Sequence, residues 1–279
     1  MKLIFLDIDG TLTKPGENIP PESAVNAINK ARAKGNKVFL CTGRNPDMLK
    51  PLLKYKFDGI ISCAGGYVAI GENCEEVLYD HPMTNEQRDI ALKALHDNGV
   101  FCTIEAYGGS WGDENLGDFL SSQGEGNSEL ERWRKALSAN LGIKPMGEYD
   151  GSPIYKVVIM CNKLSQLDDA KKALGDQFNF VVQDVRVGNS DQTCVNGEIL
   201  DKAFNKGLGV RIIAEKFNVD IKDTIGFGDS MNDLEMIQTV GTSVCMSNGS
   251  EALKKLSDIV CPSVSEDGLA KAFEDLHLI

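Results

Sequence analysis

The first ten residues constrain this chain most. Leu3-Ile4-Phe5-Leu6 is a continuous apolar run of strand length that stops at Asp7. A strand that is apolar throughout must be covered on both faces, which is the condition of a parallel sheet flanked by helices. The pattern recurs at Val38-Phe39-Leu40-Cys41, at Gly59-Ile60-Ile61-Ser62-Cys63 and at Thr224–Phe227. Helical spacing separates these runs. Pro20-Pro21-Glu22 opens a helix with Ala24, Ala27, Ile28 and Ala31 on one face, and Gly35 ends it. Asn45-Pro46 opens another, with Met48, Leu49, Leu52 and Leu53. Strand–helix–strand order with short connections predicts right-handed βαβ units in an α/β fold.

From about Pro82 the texture changes. A helix at Asn85–Asn98, a strand at Val100–Ala106 and an amphipathic helix at Glu129–Leu141 are expected, followed by strands at Ile154–Cys161 and Phe178–Gln183 around a helix at Leu164–Leu174. Thr193–Leu200 reads as a hairpin turning on Asn196-Gly197. After Asp201 the first texture returns, with helices at Asn205–Phe217 and Gly268–Leu276. The chain is therefore expected to hold a Rossmann-like core of residues 1–82 and 201–279, with an inserted α+β domain at 83–200.

Three polar clusters each follow a buried strand: Asp7-Ile8-Asp9-Gly10-Thr11, Thr42-Gly43-Arg44, and Gly228-Asp229-Ser230-Met231-Asn232-Asp233. Open α/β sheets bind ligands outside the carboxyl ends of their strands, so these clusters are expected on one sheet edge. Taken singly, each could be an acidic turn or a helix cap. Massed carboxylates repel one another, and a hard divalent cation with oxygen ligands relieves this, which favours Mg²⁺. The formal net charge of -12 argues against nucleic acid and anionic membranes as partners. It also means that any phosphate site needs local positive charge, from a metal, a lysine or backbone N–H groups.

These motifs, with Lys206, resemble those of haloacid dehalogenase (HAD) superfamily phosphatases. Thr42-Gly43-Arg44, Asn205-Lys206-Gly207 and the insert resemble the Cof-like subfamily, whose cap is of the C2B type. The resemblance runs the length of the chain. It departs at Cys63-Ala64-Gly65-Gly66, where an Asn-Gly-Ala turn is common, and at Ala203, where a glycine is common. It implies a Mg²⁺-dependent phosphomonoester hydrolase acting on small phosphorylated metabolites such as sugar phosphates, through an aspartyl-phosphate intermediate. Asp7 would be nucleophile and Asp9 general acid and base. Asp7, the Asp9 carbonyl and Asp229 would hold the metal, with Asp233 orienting Lys206 or a metal water. Thr42, Lys206, Asn232 and the N–H groups of Ile8 and Gly43 would bind phosphate, and the insert would select substrate.

Two alternatives stand beside this reading: a phosphoryl transferase or mutase on the same scaffold, and a non-catalytic sensor of phosphorylated ligands. Arg44 could contact phosphate or form a structural ion pair. Glu105, Tyr107 and Trp111 in the insert could meet substrate, though packing is the commoner fate of such residues. No G-x-G-x-x-G follows the first strand, which argues against a dehydrogenase. His81, His96 and His277 are too scattered in sequence for a local triad or zinc motif. The eight cysteines show no C-x-x-C pair and no apolar run has the length of a signal or membrane segment, so reduced thiols in a cytoplasmic protein, plausibly a monomer, are expected.

Overall fold

The computed structural model describes residues 1–122, 142–186 and 193–279. The helix expected at Glu129–Leu141 lies outside the described residues. In chain order the strands are β1 (Leu3–Leu6), β2 (Lys37–Cys41), β3 (Gly59–Ser62), β4 (Tyr67–Ile70), β5 (Glu76–Asp80), β6 (Phe101–Ala106) and β7 (Gly109–Gly112). They continue as β8 (Ile143–Pro145), β9 (Ile154–Cys161), β10 (Phe178–Arg186), β11 (Thr193–Asp201), β12 (Thr224–Gly228), β13 (Thr242–Met246) and β14 (Ile259–Cys261). The chain divides into two compact units. One comprises Met1–Arg44, Met48–His81 and Phe204–Ile279, the other Asn45–Asp47 and Pro82–Ala203.

The first unit carries an eight-stranded sheet in the order β14-β13-β12-β1-β2-β3-β4-β5. From β14 to β3 the pairing is parallel. β4 and β5 extend it antiparallel, beyond the sheet the sequence predicts. Only Cys63–Gly66 separates β3 from β4, and a parallel return needs a crossover of a dozen residues or more. β1 is central, with Leu3 paired to Lys37 on one side and Thr224 on the other. All four of its residues are fully buried. Phe5 stacks on Phe39 at 5.3 Å between ring centroids, in a core shared with Ile61, Val210 and Ile213. Because β2, β1 and β12 are neighbours running the same way, the residues that follow them emerge at one edge.

The second unit is a six-stranded sheet in the order β10-β11-β9-β6-β7-β8. The helices Asn85–His96 and Asp168–Leu174 cover one face of it, over a core that includes Leu95, Ile104, Trp111, Val157 and Ile199.

The expected hairpin at Asn196-Gly197 is not formed. β11 runs unbroken from Thr193 to Asp201, paired with β10 on one side and β9 on the other. The glycine serves a close approach and not a turn, since a Cβ at Gly197 would lie 2.4 Å from the Val181 carbonyl oxygen. Backbone in a central strand cannot yield cheaply. Gly197→Ala is therefore expected to cost about 1–3 kcal/mol, read as a fall in Tm. An unchanged Tm would contradict this packing.

Candidate active site

The loop after β1 is tightly folded. The Ile8 carbonyl accepts from the N–H groups of Thr11 (3.2 Å), Leu12 (3.0 Å) and Thr13 (2.9 Å). Gly10 has φ of +86°, and a Cβ there would sit 2.2 Å from Asp229 Oδ2. Both facts require glycine. The loop brings the β1 cluster against the β12 cluster.

Asp7 is buried at the end of β1, its N–H donating to the Phe227 carbonyl at 3.0 Å. Lys206 opens the helix Lys206–Lys216, which Asn205 caps by accepting from the Leu208 N–H at 2.8 Å. The lysine is only 1% exposed. Its Nζ donates to Asp7 Oδ1 at 2.7 Å and to Asp233 Oδ1 at 2.5 Å. Asp233 Oδ2 accepts from the N–H groups of Asp229 (2.9 Å) and Ser230 (3.2 Å). Asp233 thus has both oxygens committed, one to the lysine and one to the motif backbone.

Asp229 differs. Its Oδ1 is buried and meets no hydrogen-bond partner. Burial, then the charge of Asp233, push its pKa up to about 7. Asp7 is raised well above the usual carboxylate range by burial and the charge of Asp233, against the pull of Lys206. Burial opposes the charge on Lys206, but Asp233 and Asp7 outweigh it and keep the lysine protonated. Oxygens of Asp7, Asp229 and Asp233 lie within 4.8 Å of one another. The orphaned oxygen and the oxygen-only donor set fit a hard divalent cation held by Asp7 and Asp229.

Asp9 points elsewhere. Arg44 grips its carboxylate with two bonds, Nε to Oδ2 at 2.8 Å and Nη2 to Oδ1 at 2.7 Å, while the Gly16 N–H donates to Oδ1 at 2.7 Å. Asn18 and the Glu17 carbonyl hold the guanidinium in turn. The ambiguous Arg44 is therefore an ion-pair partner of Asp9. Thr42 is buried, and its Oγ1 accepts from the Arg44 N–H at 3.1 Å, which leaves the hydroxyl proton to donate. Gly43 is half-buried beside it. The Ile8 N–H meets no protein acceptor among the described residues. Asn232 is exposed, its amide oxygen accepting from Ser230 Oγ at 2.9 Å.

Other residues take roles the sequence did not assign. Asn248 Nδ2 donates to the Gly10 carbonyl at 2.8 Å and ties the β1 loop to the turn after β13. The signal was the one that marked the other clusters, a polar turn following a buried strand. Cys63 and Ala64 take left-handed φ values of +52° and +57°, and the turn they form seats Gly65 against Asn205, the cap of the Lys206 helix. Trp111, a candidate substrate contact, is fully buried, with Nε1 donating to the Glu148 carbonyl and its ring edge-on to Tyr149. Glu105 is buried with Lys156, which also pairs with Glu198. Tyr107 is exposed.

The family model for haloacid dehalogenase-like hydrolases matches residues 4–273. The protein YkrA of Bacillus subtilis (strain 168) is 29% identical over 287 residues, covering 100% of this chain and 98% of that one. From the same organism, the 5-amino-6-(5-phospho-D-ribitylamino)uracil phosphatase YwtE is 25% identical, covering 99% and 98%. Among solved structures, the HAD subclass IIB sugar phosphatase BT4131 superposes with a TM-score of 0.75 at 22% identity, covering 100% of each chain.

Proposed function

Since the chain belongs to the haloacid dehalogenase-like hydrolases, of Cof type, and is a phosphatase, we propose that it is a Mg²⁺-dependent phosphomonoesterase of small metabolites, sugar phosphates foremost, that works through an aspartyl-phosphate. The observation that carries this reading is the buried chain Asp7–Lys206–Asp233 with the orphaned Asp229 oxygen beside it. A structural ion-pair network has no use for an unpartnered carboxylate at its end.

Asp7 attacks phosphorus as the bond to the leaving oxygen breaks, and Asp9 gives that oxygen a proton. Water, losing a proton to Asp9, then attacks the same phosphorus, and the bond to Asp7 breaks. Lys206 holds positive charge against Asp7 throughout, and the Thr42 hydroxyl and Ile8 N–H donate to phosphoryl oxygens. Mg²⁺, held by Asp7, the Asp9 carbonyl and Asp229, would supply charge stabilisation to those oxygens. Asp233 positions Lys206 and the β12 turn. Asp9 begins each cycle gripped by Arg44, so its protonation requires at least one of those bonds to open.

Residues 83–200 are assigned the choice of leaving group. Sugar phosphates are favoured by the fold likeness to BT4131, and a reducing compartment by eight free thiols. Steady-state assays across a panel of phosphorylated metabolites test the reading, with phosphorus NMR of the products. Inorganic phosphate as sole phosphorus product is expected. Transfer to a second sugar hydroxyl would establish a mutase or transferase instead, and no turnover of any ester a sensor.

Two outcomes follow for single groups. Asp9→Asn is expected to lower kcat for an alkyl phosphate by about 10²–10⁴ and to affect p-nitrophenyl phosphate less, because nitrophenolate leaves without a proton. Equal losses on both substrates would remove Asp9 from the acid role. Mg²⁺ is expected to raise the Tm of the metal-free protein by several degrees at saturation. The rise should be larger at pH 8 than at pH 5, since Asp229 keeps its proton up to about pH 7 and that proton competes with the cation. Calorimetry showing no shift at pH 8 would argue against a preformed cation site.

A further inference from the structure

The second unit brings together three metal-ligating side chains that have no part in the chemistry above. His96 closes the helix Asn85–His96, Cys102 is the second residue of β6, and Asp113 follows β7. The β6–β7 pairing sets the last two opposite each other. The Asp113 N–H donates to the Cys102 carbonyl at 3.0 Å, and the Cys102 N–H to Asp113 Oδ2 at 2.7 Å. Alternation along β6 turns the thiol to the face shared by Ile104 and Ala106, which the helix covers with Ala91 and Leu95. His96, in the last turn of that helix, reaches the same end of the hairpin, its Nε2 lying 3.1 Å from each Asp113 oxygen. One ligand atom from each of the three residues lies within 4.8 Å of the others.

A histidine–aspartate ion pair accounts for two of these residues. The thiol beside them goes further, and so does an open cavity of about 460 Å³ lined by His96, Phe101, Asp113, Glu114 and Met146. The cavity gives an ion and its water a path to the cluster. The donor types decide which ion. Imidazole nitrogen, thiolate sulfur and a single carboxylate suit zinc and its neighbours, whereas Mg²⁺ and Ca²⁺ demand oxygen. A tetrahedron with bonds of roughly 2.0–2.3 Å has edges of about 3.3–3.8 Å. The His96–Asp113 separation is close to one such edge, and the sulfur needs to close by no more than about 1 Å.

We propose that His96, Cys102 and Asp113 form a zinc-type metal site in the second unit, its fourth position facing the cavity, where Glu114 or water completes the tetrahedron. The ion clamps the end of the helix Asn85–His96 to the β6–β7 hairpin. It is chemically separate from the oxygen-only cluster around Asp229, so the two sites should select different metals.

Co²⁺ is a suitable probe, because a thiolate ligand gives it a charge-transfer band in the near ultraviolet that oxygen ligands do not. Full-length protein, stripped with chelator and kept reduced, is titrated with Co²⁺. The expected result is a thiolate band that saturates at one equivalent and is discharged by Zn²⁺. Cys102→Ser should abolish the band. His96→Ala and Asp113→Asn should raise the Co²⁺ concentration at half-saturation by at least about tenfold. His96 is half-exposed, so its variant keeps the test valid if Cys102→Ser folds poorly. Asp229→Asn should leave the band unchanged. Absence of the band, its survival in Cys102→Ser, or unaltered affinity in His96→Ala would each overturn the proposal.

Discussion

Asp7→Asn is expected to lower kcat/KM for every phosphomonoester by at least about 10⁴, a loss of roughly 5.4 kcal/mol of transition-state stabilisation. The amide has the shape of the carboxylate, and its oxygen can still accept from Lys206, so the loop after β1 should keep its geometry. What disappears is the charge and the nucleophilicity. The fold should not suffer, because burial and Asp233 already work against a charge at this position. The diagnostic pattern is therefore lost turnover with a Tm at or above that of the unaltered protein. Activity within about tenfold of the starting value, ~1.4 kcal/mol, would rule Asp7 out as the nucleophile. Lost activity with a large fall in Tm would mean that the residue is structural.

The second large effect is expected at Lys206. Lys206→Met leaves Asp7 and Asp233 buried without the cation that both contact. Breaking one partner out of a buried charge cluster costs about 3–5 kcal/mol, and turnover should fall below detection. The loss of stability should depend on pH in a definite direction. In the unfolded chain both carboxyls release their protons near pH 4. In the folded variant Asp7 keeps its proton to higher pH, since burial and Asp233 raise its pKa and the lysine no longer opposes them. Between those values the folded state binds more protons, so stability falls as pH rises. The deficit should be smallest near pH 4–5 and largest near pH 8. Adding Asp233→Asn should restore much of the stability without restoring turnover, because it removes one of the two stranded charges. Equal deficits at both pH values, or no rescue in the double variant, would contradict the electrostatic account.

The sheet and its edge were legible because they depend on patterns that are local in sequence. β1, β2, β3 and β12 are short apolar runs ended by polar residues, and parallel neighbours then carry those polar residues to one side. Lys206 was legible as a helix opener of the right charge. The features that escaped are set by what lies across from a residue. Asn196-Gly197 has the composition of a turn, yet the glycine answers to the Val181 backbone on the neighbouring strand. For Arg44 the sequence leaves a phosphate contact and an ion pair both open, and only the fold selects the second, its fork closing on Asp9 with Asn18 as brace. For Trp111 the sequence leaves a substrate contact and packing both open, and β6 pairing draws it into the core. Asn248 reaches back across 238 positions to Gly10, a relation that no window along the chain can show. Cys102 and Asp113 meet through the β6–β7 register, and His96 joins them from the end of the helix before β6.

The central position of β1 also bears on how the molecule is made. Its neighbours are β2, which follows almost at once, and β12, which begins at Thr224. A ribosome adding about 5–20 residues per second needs roughly 10–40 s to pass from one to the other. For that interval a fully apolar strand has one edge unpaired, and Asp7 awaits the lysine that neutralises it. The second unit emerges complete within the same interval and has its own core, so it can fold while the sheet around it is still half built. Translation pauses before Phe204 should therefore raise the demand for chaperones, and pauses after β14 should not.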